Sequence, residues 1–287
     1  RDGVEILRRT LPPLLQELSL ERDEIIVIDD ASEDDSVGML GREFPTVRVV
    51  ALERNVGFGA ACNLGFERAR HDLVLLLNSD MEVTPGSIAL LAEHFEDPDV
   101  FATGPEYWSD DPSKPRPPRG PTDWWPQLGA PAGGGLFRRD KFLELGGFDP
   151  LYYPFYWEDV DLGWNAWRSG LTIVYDTRCH FVHLESATIR KLYSASYVKR
   201  IRARNRCFFG WKNFQSPWLR RRHSLSLVRR ALGGLLRRGD ASDLLGLCDA
   251  WRHRRAIMRS RRSDPALRTD EQILADSCTS LCLLLSL

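Results

Sequence analysis

The sequence lacks several features that define common protein classes. No apolar run reaches the roughly 18 to 20 residues that a membrane-spanning helix needs. None of the six cysteines forms a C-x-x-C pair, so neither a zinc ribbon nor a thioredoxin-type site is indicated. We expect reduced thiols in a cytoplasmic protein, and no secretory signal is recognised. With 287 residues, 43% of them hydrophobic, the chain suffices for one large or two small domains.

The net charge of −1 conceals a strong asymmetry along the chain. Residues 1–189 hold 17 basic against 33 acidic side chains, whereas residues 190–262 hold 21 against 3. We therefore predict an acidic domain over 1–189 and a helical, basic C-terminal region over 190–287. Helices that mix arginine with Leu and Trp can lie on anionic membrane surfaces, which is the interpretation we favour. A solvated packing domain or an intersubunit surface, as in a homodimer, is the alternative. Nucleic-acid binding is disfavoured because an acidic domain over 1–189 serves no purpose in a protein that binds nucleic acid.

Short apolar runs alternate with helical patterns in the first hundred residues. The runs at residues 24–28, 47–52 and 71–77 are typical of buried parallel strands. This alternation predicts an α/β fold with a mostly parallel sheet flanked by helices. In such sheets ligands bind at the carboxyl ends of the strands.

Acidic clusters follow two of these strands. Asp29 and Asp30 close the first, and Asp80 closes the third. Carboxylates there can bind a nucleotide's base or ribose, or hold a hard divalent cation, although helix capping is the alternative. The loop of residues 54–63 is rich in small residues and opens a helix. It matches neither G-x-G-x-x-G nor a P-loop, so a loop without a binding role is the alternative interpretation.

A third acidic cluster, Glu158-Asp159-Val160-Asp161, opens a predicted helix. Like charges this close raise at least one pKa, and a carboxylate at the mouth of a cleft can act as general base toward a hydroxyl. Favourable capping of the helix dipole is the alternative. The aromatic residues 152–157 indicate either a sugar-stacking surface or plain core. His180 and His183 lie on one predicted strand, and one of them could be a metal ligand rather than structural.

Together these motifs resemble the inverting glycosyltransferases of family 2, and most closely the bacterial rhamnosyltransferase-like enzymes of cell-surface polysaccharide synthesis. The resemblance covers about residues 1–215. It rests on segments in family order, which are IDDASED (28–34), RNVGFGAACN (54–63), LLNSD (76–80), GGFD (146–149), WEDVDL (157–162) and the late His motif VHLESA (182–187). It implies a GT-A fold with a Rossmann-like sheet. The chain opens in the helix that should follow the family's first strand, so we expect that strand to be missing.

The resemblance also implies roles for individual residues. Asp159 would be the general base, and Asp80 with His183 would hold a divalent metal, Mg²⁺ or Mn²⁺. The residues implied in binding the nucleotide-sugar are Asp29, Asp30, Asn55, Gly57, Asn63, Asn78 and Asp80. Those expected to contact the acceptor are Trp124, Trp125, Trp157 and Glu158.

The implied reaction is single-displacement transfer of a sugar with inversion. The donor would be a dTDP- or UDP-sugar, with rhamnose as the first expectation, and the acceptor a hydroxyl of a lipid-linked molecule or glycan. The enzyme would be peripheral on the inner face of the bacterial plasma membrane. A catalytically inactive sugar-nucleotide-binding or scaffold protein is the alternative, which donor hydrolysis with Mn²⁺ or Mg²⁺ would discriminate.

Overall fold

Strands and helices alternate up to Leu77, as their sequence patterns predict, whereas the strands between Leu73 and Val83, and those between Val100 and Arg138, follow one another without a helix in the residues that the structure describes. The computed structural model describes residues 2–116, 122–184, 193–261 and 265–277. The elements up to residue 184 are α1 (Val4–Glu17), β1 (Ile26–Asp29), α2 (Ser36–Glu43), β2 (Arg48–Ala51), α3 (Phe58–Arg68), β3 (Leu73–Leu77), β4 (Met81–Val83), α4 (Ser87–Glu93), β5 (Val100–Ser109), β6 (Trp124–Pro126), β7 (Gly134–Arg138), α5 (Arg139–Glu144), α6 (Glu158–Arg168) and β8 (Thr172–His183). The predicted α/β class is confirmed.

Two strand pairs are parallel, β1 with β2 and β5 with β8. The pair β1 and β2 stands as a two-stranded sheet, and the other strands follow the order β3-β7-β5-β8-β4, with β6 also pairing with β8. The register between β5 and β8 shifts between Pro105 and Glu106, and a proline has no N–H to donate to the ladder. Beyond that shift the ladder continues, so Glu106 lies opposite His180 and Ser109 opposite His183.

The basic C-terminal region is helical, as predicted. Its elements are α7 (Ala195–Asn213), α8 (Pro217–Arg238), α9 (Ser242–Arg252), α10 (Arg254–Arg259) and α11 (Asp270–Asp276). Phe208, Phe209 and Phe214 belong to the same buried hydrophobic cluster as Phe137 and Trp164 of the α/β body. The boundary at residues 189 and 190 stays a prediction, but the apolar core is continuous across it. In the described parts of the chain, no helix is long and apolar enough to cross a membrane.

Candidate functional site

Asp30 organises the loop that follows β2. Its Oδ1 accepts a hydrogen bond from the backbone N–H of Val56 at 2.6 Å, and its Oδ2 accepts one from Gly57 at 3.0 Å. The Asn55 amide donates to the carbonyl oxygen of Asp30 at 3.3 Å. Gly57 has φ +86°, and a Cβ there would lie 2.7 Å from the Tyr153 ring, so the position requires glycine. The structure thus brings together three residues predicted to bind the nucleotide-sugar, with Asp30 after β1 holding the loop of Asn55 and Gly57 after β2.

Asp29 and Asn63 also form internal tethers. The buried Asp29 carboxylate accepts hydrogen bonds from the hydroxyl and the backbone N–H of Ser32. The Asn63 side chain pairs with the backbone of Phe148, donating to its carbonyl and accepting from its N–H, both at 2.8 Å. These contacts fix the loops after β1 and after α5. Contact of either residue with a donor stays a prediction.

Asn78, Ser79 and Asp80 form the turn between β3 and β4. Met81 of β4 pairs with His183 of β8, and this register places the His183 Nε2 atom 3.5 Å from Asp80 Oδ2. The two predicted metal ligands therefore meet, although they lie far apart in sequence. Residues 185–187 of the late His motif lie outside the described residues.

Asp80 and His183 together suit a divalent cation that is also bound by the phosphates of a ligand. In the described residues, no group of three or more His, Cys, Asp or Glu side chains could by itself hold a metal. Mg²⁺ is usually bound by one or two carboxylates together with substrate phosphates and water, whereas an all-protein site needs more ligands. The Asp80 carboxylate matches the first arrangement, and the His183 imidazole beside it adds one nitrogen ligand.

A cavity of about 120 Å³ lies beside this turn. Asp159, Tyr107, Tyr175 and Gln127 line it together with residues 130–133. The carbonyl oxygen of Gly133 accepts a hydrogen bond from the Asn78 N–H at 3.0 Å. The strand-end turn and the cavity that holds Asp159 are therefore joined through one backbone hydrogen bond.

The two carboxyl groups at the start of α6 have raised pKa values. Burial raises the pKa of both Glu158 and Asp159, and the charge of Asp159 raises that of Glu158 further. Within the part of the chain that the structure describes, the buried Oε2 of Glu158 has no hydrogen-bond partner. Burial and the nearby charges of Glu158 and Asp30 also raise the pKa of the Cys62 thiol. The acidic pair thus has a high proton affinity.

The segment that leads into α6 has a strained backbone. Tyr156 and Trp157 have φ values of 72° and 79°, in the left-handed region that bulky residues rarely adopt. The Asn205 amide of α7 donates to the carbonyl oxygens of Tyr152 and Phe155, both at 2.9 Å, and of Tyr156 at 2.8 Å. A helix of the basic region therefore holds this turn in place.

A buried ionic network fixes the first turn of α6 itself. The Lys212 ammonium lies 2.6 Å from Asp149 Oδ2 and 2.6 Å from Asp161 Oδ2. Asp161 Oδ1 accepts hydrogen bonds from the Asn213 amide at 2.6 Å and the Tyr152 hydroxyl at 2.8 Å. Burial alone would lower the pKa of Lys212, but the charges and hydrogen bonds of the two carboxylates raise it overall. Lys212 therefore stays charged between them.

Sequence reasoning missed this network. Asn205, Lys212 and Asn213 were counted within the basic C-terminal region, away from the site. The available signal was a lysine and an asparagine next to the run of aromatic residues at 208–214, where apolar neighbours imply burial.

The predicted acceptor-binding aromatic residues occupy different environments. Trp124 is 48% exposed, and the Trp125 ring lies 5.0 Å from that of Tyr175, which lines the cavity. Trp157 is buried, with its ring 5.2 Å from that of Phe209. Trp124 and Trp125 therefore lie at or near the surface beside the site, whereas Trp157 packs in the core. Their contact with an acceptor stays a prediction.

Comparison with known proteins decides the family. The profile described as "Glycosyl transferase family 2" matches residues 4–148, about half of the chain. The chain belongs to glycosyltransferase family 2. The match includes the loops of Asp30 and Gly57 and the turn of Asp80, and it ends at Phe148, before Asp159. The rhamnosyltransferase-like subgroup stays a prediction.

Curated relatives align with this family 2 chain over a shorter stretch. The undecaprenyl-phosphate 4-deoxy-4-formamido-L-arabinose transferases of Pseudomonas fluorescens (strain SBW25) and Pseudomonas aeruginosa (strain LESB58) are both 40% identical to it, over 93 and 94 residues respectively. Each alignment covers 31% of this chain and 27% of the relative. The chain thus matches about a quarter of the length of these relatives.

Solved structures show the fold over most of the chain. S. aureus TarS 1-349 in complex with UDP-GlcNAc has a TM-score of 0.60 at 13% identity, covering 93% of this chain and 90% of that one. The mannosyltransferase PcManGT from Pyrobaculum calidifontis, in complex with GDP-Man and Mn2+, has a TM-score of 0.54 at 14% identity, covering 96% and 83%. The predicted GT-A fold is confirmed.

Proposed function

We propose that this family 2 chain transfers a sugar, with inversion, from a nucleotide-sugar to a hydroxyl of a lipid-linked or glycan acceptor, and that Asp159 is the general base. The observation that carries the proposal is the position of Asp159 in a cavity joined to the Asn78-Ser79-Asp80 turn through Gly133. Support also comes from the similar proteins, since the Pseudomonas relatives are named as undecaprenyl-phosphate sugar transferases and the solved structures hold UDP-GlcNAc or GDP-Man.

Asp80 and His183 are proposed to hold Mg²⁺ or Mn²⁺ at the donor diphosphate. PcManGT was solved with Mn2+ and GDP-Man, which favours a divalent cation here. When bound, the cation would act as a Lewis acid that neutralises charge on the departing diphosphate. The loop held by Asp30 would position the donor, a UDP- or dTDP-sugar. Rhamnose remains the first sugar to test.

Asp159 would take the proton of the acceptor hydroxyl as that oxygen attacks the anomeric carbon. Burial raises its pKa, which makes its carboxylate a stronger base than an exposed one. Tyr107 holds one wall of the cavity in place, because its hydroxyl donates to the Gly134 carbonyl at 2.8 Å. Glu158, Trp124 and Trp125 would contact the acceptor. The basic helices would bring the site to an anionic membrane on the cytoplasmic face.

The test is a donor screen with Mg²⁺ or Mn²⁺ that measures release of nucleoside diphosphate in the presence of acceptor. We expect Asp159→Asn to lower kcat by about 10²- to 10⁴-fold with the affinity for nucleotide unchanged, because only the proton acceptor is lost. Asp140→Asn, an exposed aspartate in the first turn of α5, is the matched control. Full turnover by Asp159→Asn would refute its role. Donor binding without turnover by the unaltered chain would support the inactive alternative instead.

A further inference from the structure

We propose that a groove on the basic C-terminal helices binds an anionic phospholipid of a bilayer surface. This inference deepens the membrane association in the proposed function and rests on it. The groove has a volume of about 580 Å³ and lies where the ends of α7 and α9 meet α10. It is lined by Trp211, Trp251, Arg254, Arg255, Met258 and Arg259.

The apolar part of the groove is exposed. Trp251 is 60% exposed and Met258 is 53% exposed. The Trp211 ring meets that of Trp251 edge to face, with the centroids 6.3 Å apart. Contiguous exposed apolar side chains mark interaction sites, and tryptophan prefers the boundary between water and hydrocarbon. The acyl chain of a lipid is the group that would cover these side chains.

The charged part of the groove consists of the guanidinium groups of Arg254, Arg255 and Arg259. Among the described residues, no carboxylate forms an ion pair with Arg254, Arg255 or Arg259. The neighbouring Arg252, in contrast, lies 3.2 Å from Asp249. Three uncompensated guanidinium groups next to an apolar surface are complementary to a molecule that joins a phosphate to a hydrocarbon chain.

Helix α8 favours a bilayer over a nucleic acid as the partner of this region. It exposes aliphatic side chains at helical spacing, which are Leu225, Val228, Leu232 and Leu236, with exposed fractions of 49%, 47%, 51% and 79%. Stacking on nucleic-acid bases uses aromatic side chains, whereas aliphatic rows bury themselves in acyl chains. The same basic region therefore offers aliphatic surface beyond the groove.

The test is co-sedimentation of the full chain with vesicles, in which phosphatidylcholine mixed with phosphatidylglycerol is compared with phosphatidylcholine alone. An arginine near an anionic surface contributes about 1 kcal/mol, which is roughly five-fold in affinity. We therefore expect a five-fold loss for Arg255→Gln and a loss on the order of 100-fold for Arg254→Gln, Arg255→Gln and Arg259→Gln combined. Added salt should weaken binding of the unaltered chain.

Matched variants separate the groove from general charge. Arg22→Gln removes an exposed arginine that has no ion pair in the described part of the α/β body, and it should leave vesicle binding unchanged. Trp251→Ala should weaken binding to mixed vesicles even in high salt, because the apolar contact is not screened. Unfolding curves of each variant report whether the fold is retained.

Four results would overturn the inference. They are equal binding to neutral vesicles, unchanged binding by the triple variant, displacement of vesicles by an oligonucleotide, and displacement by soluble glycerol phosphate at matched concentration. Donor turnover on a soluble acceptor is measured in parallel. If the groove variants lose vesicle binding but keep turnover, the groove acts in membrane binding and not in catalysis. If the unaltered chain binds vesicles but shows no turnover, the proposed enzyme activity is rejected and the proposed lipid groove is supported.

Discussion

Lys212→Met should destabilise the fold strongly, because it removes the only charge that compensates Asp161 in the described part of its buried site. Lys212 is 7% exposed, and the side chains of Asp161 and Asp149 are 3% and 23% exposed. Removing one partner of a buried ion pair typically costs about 3–5 kcal/mol. Asp149 is partly solvated, and Asp161 keeps the donors of Tyr152 and Asn213, so we expect the lower end, about 3 kcal/mol.

Urea denaturation measures this loss as a shift in the midpoint at an unchanged m-value. Lys141→Met is the control. Lys141 is paired with Glu144 at 2.9 Å on the surface of α5, and such pairs contribute about 1 kcal/mol or less. Adding Asp161→Asn to Lys212→Met should recover part of the loss, because the uncompensated charge disappears. A loss below about 1 kcal/mol for Lys212→Met, or no recovery in the double variant, would refute the reasoning.

Three further predictions concern the site. The pKa of Glu158 is raised from 4.5 to about 8, so its ionisation opposes folding, and the free energy of unfolding should fall as pH rises between these values. Glu158→Gln should flatten that dependence in urea melts across pH, and an unchanged slope would contradict it. Asp80→Ala should abolish metal-dependent binding of nucleoside diphosphate in calorimetry, and full affinity with metal present would count against the site. Gly57→Ala should cost about 1–3 kcal/mol, because the new Cβ meets Tyr153, whereas Gly41→Ala in α2 meets open space and should stabilise; equal effects on the unfolding midpoint would refute the contrast.

The placement of polar residues at the strand ends could be predicted from sequence because local patterns determine it. β-branched and leucine-rich runs form β1 and β3, and polar residues mark their carboxyl ends, at Asp29 and Asp30 and at Asn78. The proximity of Asp80 and His183 was also predicted, through the order of family motifs. The register of β4 on β8 fulfils it.

The contact partners of individual side chains could not be predicted from sequence. Nothing local shows that the Asp30 carboxylate binds the backbone N–H groups of Val56 and Gly57, because the loop reaches it only in the fold. The aromatic segment was open to two interpretations, stacking surface or core. Tyr156 and Trp157 have left-handed backbone, and the Trp157 ring packs in the core. Asn205 of α7 donates to the Tyr156 carbonyl oxygen, a contact that no local pattern reveals.

Counting charges along the sequence does not distinguish basic side chains that form buried ion pairs from those that are exposed to solvent. Lys212 and Arg255 contribute equally to the basic excess of residues 190–262, yet Lys212 lies buried between two carboxylates and Arg255 lies exposed at the groove. A chain that ended at residue 189 would lose Asn205, Lys212 and Asn213, and with them the donors that hold the segment leading to Asp159. Helix α7 therefore belongs structurally with the segment that carries Asp159, although its Trp211 also lines the proposed lipid groove.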